Sequence, residues 1–174
     1  DQAIQAVPES GELRWAKAGL LEASGDIDGA IAVYEALYTE NSANPIVANN
    51  LSSLLSNYRS DPDSLKRAEV IARRLRGSNI PPYQDTYGWI AYLNGDFTSA
   101  VAELEKAAEG LPQDPMVRYH FGMALAATGQ TEEAIKQFES ALALIPAGDS
   151  RDFANSARTE LEKLKAAAGA PKSP

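Results

Sequence analysis

Apolar and polar positions alternate along this chain with the spacing of helices rather than strands. Tyr87 and Leu104, then Phe121 and Phe138, sit among apolar neighbours three and four residues away, the interval that gathers side chains onto one helical face. Short punctuation separates the periodic stretches. Asn44-Pro45 and Asp114-Pro115 each place a capping side chain before a proline at the first helical position, so both predict a helix start. Gly25-Asp26, Gly95-Asp96 and Gly129-Gln130 predict points where one helix ends and the next begins. From Ser150 to Ala168, Phe153, Ala157, Leu161 and Leu164 recur at helical spacing among Arg, Glu and Lys, which predicts one more helix near the C-terminal end.

The punctuation is itself periodic. Gly88 and Gly122, Gly95 and Gly129, Ala100 and Ala134, Ala107 and Ala141, Pro112 and Pro146, and Pro81 and Pro115 all lie 34 positions apart. Six coincidences at one interval indicate an internal repeat, and a 34-residue unit of helix, turn and helix has the tetratricopeptide period. From Pro115 the chain reads Arg118-x2-Phe121-Gly122-x2-Leu125, then Ala134-x3-Phe138, Ala141 and Pro146. From Pro81 it reads Gln84-x2-Tyr87-Gly88-x2-Ala91, then Ala100-x3-Leu104, Ala107 and Pro112. Both segments resemble the tetratricopeptide (TPR) pattern at every anchor but the opening aromatic.

Two earlier segments resemble it with departures. Gly11 to Asn44 holds Leu21, Gly25-Asp26 and Ala30-x3-Tyr34, with Lys17 where the pattern wants a large apolar residue. Pro45 to Ile80 holds Leu51-Ser52-x2-Leu55 and Ala68-x3-Ala72, but 16 residues separate Ser52 from Ala68 against 12 between Gly88 and Ala100. The resemblance implies an all-α, right-handed α-solenoid of about four helix-turn-helix repeats, at 11–44, 45–80, 81–114 and 115–148. Residues 1–10 would form an N-terminal extension, 149–168 a capping helix over the last repeat, and 169–174 a frayed tail.

Composition narrows the function. With 174 residues, 44% hydrophobic and 23% charged, the chain can bury a continuous core. Lys and Arg number 16 against 24 Asp and Glu, a net charge of −8 that repels phosphate backbones and makes nucleic acid an unexpected partner. No apolar run reaches the roughly 18 to 20 residues that a membrane helix needs, so membrane insertion by this segment is not expected. The chain begins with Asp1 rather than methionine, the expectation for a processed product or part of a longer protein. Without cysteine there are no disulfides, thiolate metal sites or cysteine nucleophiles.

Chemistry is sparse. His120 is the single histidine, which excludes two-imidazole metal clusters and acid–base pairs; no cofactor, metal site or catalytic constellation is expected. It reads as a groove-lining or partly buried side chain. Glu103, Glu105, Glu132 and Glu133 read as solvated helix faces, and Lys66, Arg67, Arg73, Arg74 and Arg76 as one basic helix, either a solvated outer face or a docking patch for an acidic partner.

The resemblance places function on the first helices of successive repeats, which in TPR proteins line a concave groove holding a peptide or helix. The corresponding residues here are Trp15 and Glu22; Asn49, Asn50, Ser53 and Asn57; Asp85, Trp89, Tyr92 and Leu93; and Met116, Tyr119, His120 and Met123. Aromatics and methionines suit an adaptable binding surface, and the alternative is that some of them pack between repeats. A carboxylate clamp of the chaperone-binding kind is not expected, because only Asn50 matches it while Trp15, Gly19, Pro82 and Thr86 hold its other positions. Asn44-Pro45 with Asn49-Asn50-Leu51 and Leu54-Leu55, then Asp85-Thr86-Tyr87-Gly88-Trp89 with Gly95-Asp96, is similar to long bacterial TPR proteins of exopolysaccharide synthesis and export. That similarity implies a non-catalytic scaffold binding a protein or peptide, with self-association open. It also implies a bacterial cell envelope setting, the periplasm favoured over the cytoplasm. The alternative is a recruiting region of a larger enzyme or secretion component.

Overall fold

In the computed structural model, residues 11–169 are described, and the expectations for residues 1–10 and for the tail beyond Gly169 lie outside them. The described residues form nine α-helices and a short 3-10 turn, with no strand. They are α1 (Gly11–Ala23), α2 (Ile27–Glu40), α3 (Pro45–Tyr58), α4 (Pro62–Ala72), the 3-10 turn Arg73–Leu75, α5 (Pro81–Leu93), α6 (Phe97–Gly110), α7 (Pro115–Ala127), α8 (Thr131–Ala143) and α9 (Asp152–Gly169). The chain divides into two compact units, one ending at Arg76 and one beginning at Gly77. In the first, α1 packs on α2, α2 on α3, and α3 on α4. In the second, the sequence of contacts is α5 on α6, α6 on α7, α7 on α8, and α8 on α9.

Similar local chemistry makes the first, third and fourth hairpins. Asp26 and Asp96 cap α2 and α6 by accepting the amides of Gly29 at 2.9 Å and Ser99 at 3.1 Å; Asn44 and Asp114 cap α3 and α7 through Ile46 and Met116. At the tight turns, the Asp26, Asp96 and Gln130 amides reach back to the carbonyls of Leu21, Ala91 and Leu125 at 2.9 to 3.0 Å. That closure needs a left-handed residue just before it, and Gly25, Gly95 and Gly129 supply it with φ of 82°, 81° and 77°. The second hairpin is built differently. Its α3 continues to Tyr58, and Asp61 restarts the chain by capping α4 at Ser64, so the extra residues become a short linker without a glycine.

Within each hairpin the small residues meet the large ones. A Cβ on Gly88 would lie 2.7 Å from Leu104 Cγ, and one on Gly122 2.7 Å from Phe138 Cε1, so each glycine lets the second helix come close enough to fill the gap with its own side chain. Ala30, Ala68, Ala100 and Ala134 are fully buried at the matching point of each second helix. In the second unit α9 supplies Phe153, Ala154 and Ala157 to the buried core, with Leu161 and Leu164 half-buried against it.

Two expectations change in detail. The basic stretch is not one helix, since α4 stops at Ala72 and Arg73–Leu75 tightens into the 3-10 turn. Nor is it simply a solvated face. Arg67 forks onto Glu35 of α2 at 2.8 and 3.2 Å, Arg74 Nε donates to the Tyr38 hydroxyl at 3.0 Å, and both guanidiniums lie over the Tyr38 ring. Arg67 and Arg74 therefore tie this basic stretch to α2, while Arg73 pairs with Glu69 one turn earlier in the same stretch.

Candidate partner-binding surfaces

The two units differ in how their first-helix aromatics sit. In the second unit the aromatics are stacked into a wall. Tyr92 lies flat on Trp89 with centroids 4.9 Å apart, and Trp89 lies flat on His120 at 4.2 Å. Phe97 tilts against Tyr92, and Tyr119 bridges Trp89, His120, Phe138 and Phe153 at 5.8 to 6.2 Å. These spacings fall in the range where ring pairs add stability beyond burial. Trp89 and Tyr119 are buried, Tyr92, Met116 and Met123 half-buried, and His120 only 1% exposed. The wall thus holds α5 to α7, and its open edge is Tyr92, Met116, Met123 and Phe97.

His120 is held by Asp85, a residue expected in the groove on separate grounds. Its Nδ1 stands 2.9 and 3.2 Å from the two carboxylate oxygens of Asp85, so Nδ1–H donates and the ring is fixed in one orientation. Its Nε2 and the indole Nε1 of Trp89 are buried with no hydrogen-bond partner among the described residues. Tyr119 shows the effect of the same burial, which pushes its phenol above the usual range. A bond involving Ser156 opposes that shift, and the nearby Tyr92 and Glu160 add to it. Ser156 and Glu160 belong to α9, so the last helix borders this wall.

In the first unit Asn49, Asn50 and Ser53 are half-buried, and Trp15, Glu22 and Asn57 are exposed. Trp15 is 47% exposed and Ile46 48%, and between them lies a cavity of about 600 Å³ floored by Ala16, Leu37 and Val47 and rimmed by Glu12, Glu40, Asn41 and Asn44. Pockets of this size and lining receive ligands or anchor side chains. The rim is largely pre-set: Glu40 is paired to Arg14, and Asn41 and Asn44 spend their carbonyl oxygens on backbone amides, leaving their NH2 groups as the donors that remain. Asn49, Asn50, Ser53 and Asn57 run along α3 as a polar ladder. Asn49 donates to Asn50, Asn50 donates to the Tyr34 hydroxyl at 2.9 Å, and Asn57 donates to Ser53. Burial raises the Tyr34 phenol, the Asn50 bond opposes that shift and the nearby Glu22 adds to it, while burial also raises the Glu22 carboxyl.

The structure therefore brings Trp89, Tyr92, Tyr119 and His120 together, and Asn49, Asn50 and Ser53 together, and leaves Trp15 beside a cavity. Leu37, Glu40, Asn41, Asn44 and Ile46 stand outside the expected set because that set covers first-helix positions facing a groove; the pocket is made where the end of α2 turns into α3. Among the described residues there is no cluster able to hold a metal ion and no helix long and apolar enough to cross a membrane.

Family profiles described as tetratricopeptide repeat match residues 91–151 and, separately, residues 1–45. The chain is a tetratricopeptide-repeat protein. The second match runs into the stretch read above as an extension. No curated protein matches the sequence. Solved structures of TPR proteins do. A thermophilic TPR protein of Thermus thermophilus is 19% identical with a TM-score of 0.65, over 92% of this chain and 86% of that one. YrrB, described as a TPR protein with an unusual peptide-binding site, is 19% identical at 0.60, over 95% and 91%. MamA of Desulfovibrio magneticus is 16% identical at 0.58, over 93% and 98%. At such identities the likeness establishes the TPR fold.

Proposed function

We propose that this TPR protein is a non-catalytic scaffold that binds a protein partner through a peptide segment anchored in the first unit. The observation that carries the reading is the half-exposed Trp15 standing over an apolar cavity of about 600 Å³. Exposing a large ring beside an empty apolar pocket costs free energy that a partner's side chain recovers, which is how interface hot spots arise. Binding of peptides by a TPR protein has a parallel in YrrB. The second unit adds the open edge of its aromatic wall, Tyr92, Met116 and Met123, as a further contact. Its buried members Trp89, Tyr119 and His120 keep that edge rigid. The absence of catalysis is part of the proposal: the single histidine is enclosed and committed to Asp85.

The setting we infer is a bacterial cell envelope assembly, with the chain on the periplasmic side. The repeat wording around Asn44-Pro45 and Asp85 to Trp89, similar to TPR proteins of exopolysaccharide export, supports it. Affinity capture with the full chain, followed by identification of the bound protein and mapping of its segment, tests both parts. Trp15→Ala is expected to weaken the captured partner by about 2 kcal/mol or more, as loss of a central aromatic does. An unchanged affinity with an intact fold would remove the pocket from the function, and partners confined to cytoplasmic processes would remove the envelope setting.

A further inference from the structure

The first and third hairpins match residue for residue. α1 and α5 begin at Gly11 and Pro81, α2 and α6 at Ile27 and Phe97, and α3 and α7 at Pro45 and Pro115, each pair 70 positions apart. The backbone bonds after the second helix agree as well. The amides of Asn41 and Leu111 donate to Leu37 and Ala107, and those of Asn44 and Asp114 donate to Asn41 and Leu111.

On this common backbone the side chains differ at one place. In the third hairpin the Pro81 ring lies so close on Gly110 that the glycine has no room for a Cβ, Thr86 is buried, and Leu111 packs half-buried on the core. The first hairpin holds Gly11, Glu40, Ala16 and Asn41 at those positions, and all four line the cavity beside Trp15. Glu40 is paired with Arg14. The cavity therefore lies where the later hairpin carries a proline ring and a leucine that this one lacks.

The rim adds a requirement for hydrogen bonds. Asn44 caps α3 by accepting Ile46 at 3.0 Å and Val47 at 3.4 Å, and Asp114 caps α7 by accepting Met116 at 2.9 Å and Val117 at 3.3 Å. A carboxylate thus does the same work, and at a helix N-terminus its charge is favoured, so capping gives no reason for the NH2 group of Asn44. Capping also fixes which way the amide points, because only its oxygen can accept. Asn41 is oriented likewise by accepting the Ala43 amide at 3.2 Å. Two oriented NH2 donors therefore stand on the rim of an apolar cavity. A docked α-helix would offer them little, since its carbonyls accept from its own amides, whereas an extended or polyproline chain keeps its carbonyls open.

We propose that the Trp15 cavity takes an extended, proline- and leucine-bearing segment of a partner protein. Its apolar side chains fill the place that Pro81 and Leu111 fill in the third hairpin, Trp15 packs on a proline ring, and the NH2 groups of Asn41 and Asn44 donate to main-chain carbonyls. This rests on the reading of the Trp15 pocket as a peptide site and adds the conformation and residue types of the peptide.

The peptide Ac-Pro-Pro-Leu-Pro-Pro-Leu-Pro-Pro-NH2 would be titrated into the isotope-labelled full chain and followed by heteronuclear NMR. Saturable shifts of the Trp15 indole and of the Asn41 and Asn44 side-chain amides are expected, and a stapled helix carrying the same two leucines on one face should bind about tenfold weaker or worse. Asn44→Asp keeps the cap, so urea unfolding should be unchanged while peptide affinity falls about tenfold. Asn41→Leu restores the leucine of the third hairpin and should abolish binding. No saturable shift at millimolar peptide, or equal binding of the stapled helix, overturns the proposal. So does an affinity untouched by both asparagine variants. If Trp15→Ala abolishes binding in that case, the pocket reading survives and only the carbonyl-facing segment is lost; if Trp15→Ala has no effect either, both fail. Binding that appears only after deletion of residues 1–10 gives the place to the chain itself, and a free dimer that Asn41→Leu dissociates gives it to a second copy. Either result sinks the proposal.

Discussion

Glycine in the middle of a helix costs about 1 kcal/mol relative to alanine, so Gly→Ala there stabilises unless the new methyl group has nowhere to go. This chain offers both cases on its first helices. A Cβ on Gly19 of α1 meets nothing within 4 Å. A Cβ on Gly122 of α7 would stand 2.7, 2.9 and 3.1 Å from three carbons of the Phe138 ring, and Phe138 is completely buried. Carbon atoms rest about 3.5 to 4.0 Å apart, so the ring edge would have to withdraw by roughly 0.8 Å within a core where Tyr119 already lies against it. Overpacking of that kind costs on the order of 1 to 3 kcal/mol, which exceeds the propensity gain. Gly88 is tighter still, because its Cβ would meet the Leu104 backbone nitrogen at 3.2 Å as well as Cγ at 2.7 Å, and backbone cannot rotate aside. The expected order is therefore Gly19→Ala stabilising by up to about 1 kcal/mol, Gly122→Ala neutral to destabilising by about 2, and Gly88→Ala worse. Each unit holds one tryptophan, so urea unfolding of each can be followed by fluorescence, with Trp15→Phe as background for Gly88 and Gly122 and Trp89→Phe for Gly19. A destabilising Gly19→Ala or a stabilising Gly122→Ala would show that the contacts assigned to these hairpins are wrong.

Other expectations follow from the second unit. Replacing His120 by alanine leaves Asp85 without its donor and a gap beneath Trp89, so thermal melting should fall by several degrees, on the scale of about 2 kcal/mol or more. Ending the chain at Ala147 removes the burial of Phe153, Ala154 and Ala157; the product should be less stable and should self-associate in sedimentation experiments, and a monomer with unchanged melting would show that α9 is no cap. Trp89→Ala should weaken partner binding more than Arg73→Ala does, provided melting is measured beside it, because Trp89 carries the ring stack while Arg73 pairs only with Glu69 on the surface. Burial raises the Tyr119 phenol above its ordinary value of 10.0, so the folded state keeps a proton that the unfolded chain releases. That stability is complete below pH 10 and lost as pH rises through the higher folded value; Tyr119→Phe should flatten the alkaline limb of a stability curve.

The hairpins were legible because their signals are local and repeated. A glycine with φ near 80°, an aspartate three residues before the amide it caps and a proline at the first helical position act within one turn of chain. Their 34-residue recurrence then identified the fold. Surface exposure is a different kind of fact. Aligning first helices placed Trp15 and Tyr119 in equivalent positions, yet the first is half-exposed and the second buried. What separates them is the following first helix: Phe153 of α9 packs on Tyr119 with ring centroids 5.9 Å apart, whereas α3 holds Asn49 at the position of Phe153, its amide turned to Asn50, and a cavity remains beside Trp15. No property of Trp15 or Tyr119 themselves carries that difference. The cavity escaped for a related reason: Leu37, Glu40, Asn41 and Asn44 of its lining come from the end of a second helix and the turn after it.

The same comparison gives the repeat its functional asymmetry. A residue on a first helix is buried only when the hairpins on both sides of it supply cover, and the cost of lacking cover depends on what the residue is. At the position of Leu20 the later repeats hold Leu54 and Ala124, both enclosed, so an apolar residue there serves packing. The open Trp15 beside its cavity fits a surface completed by a partner's side chain, which is the reading that Trp15→Ala tests.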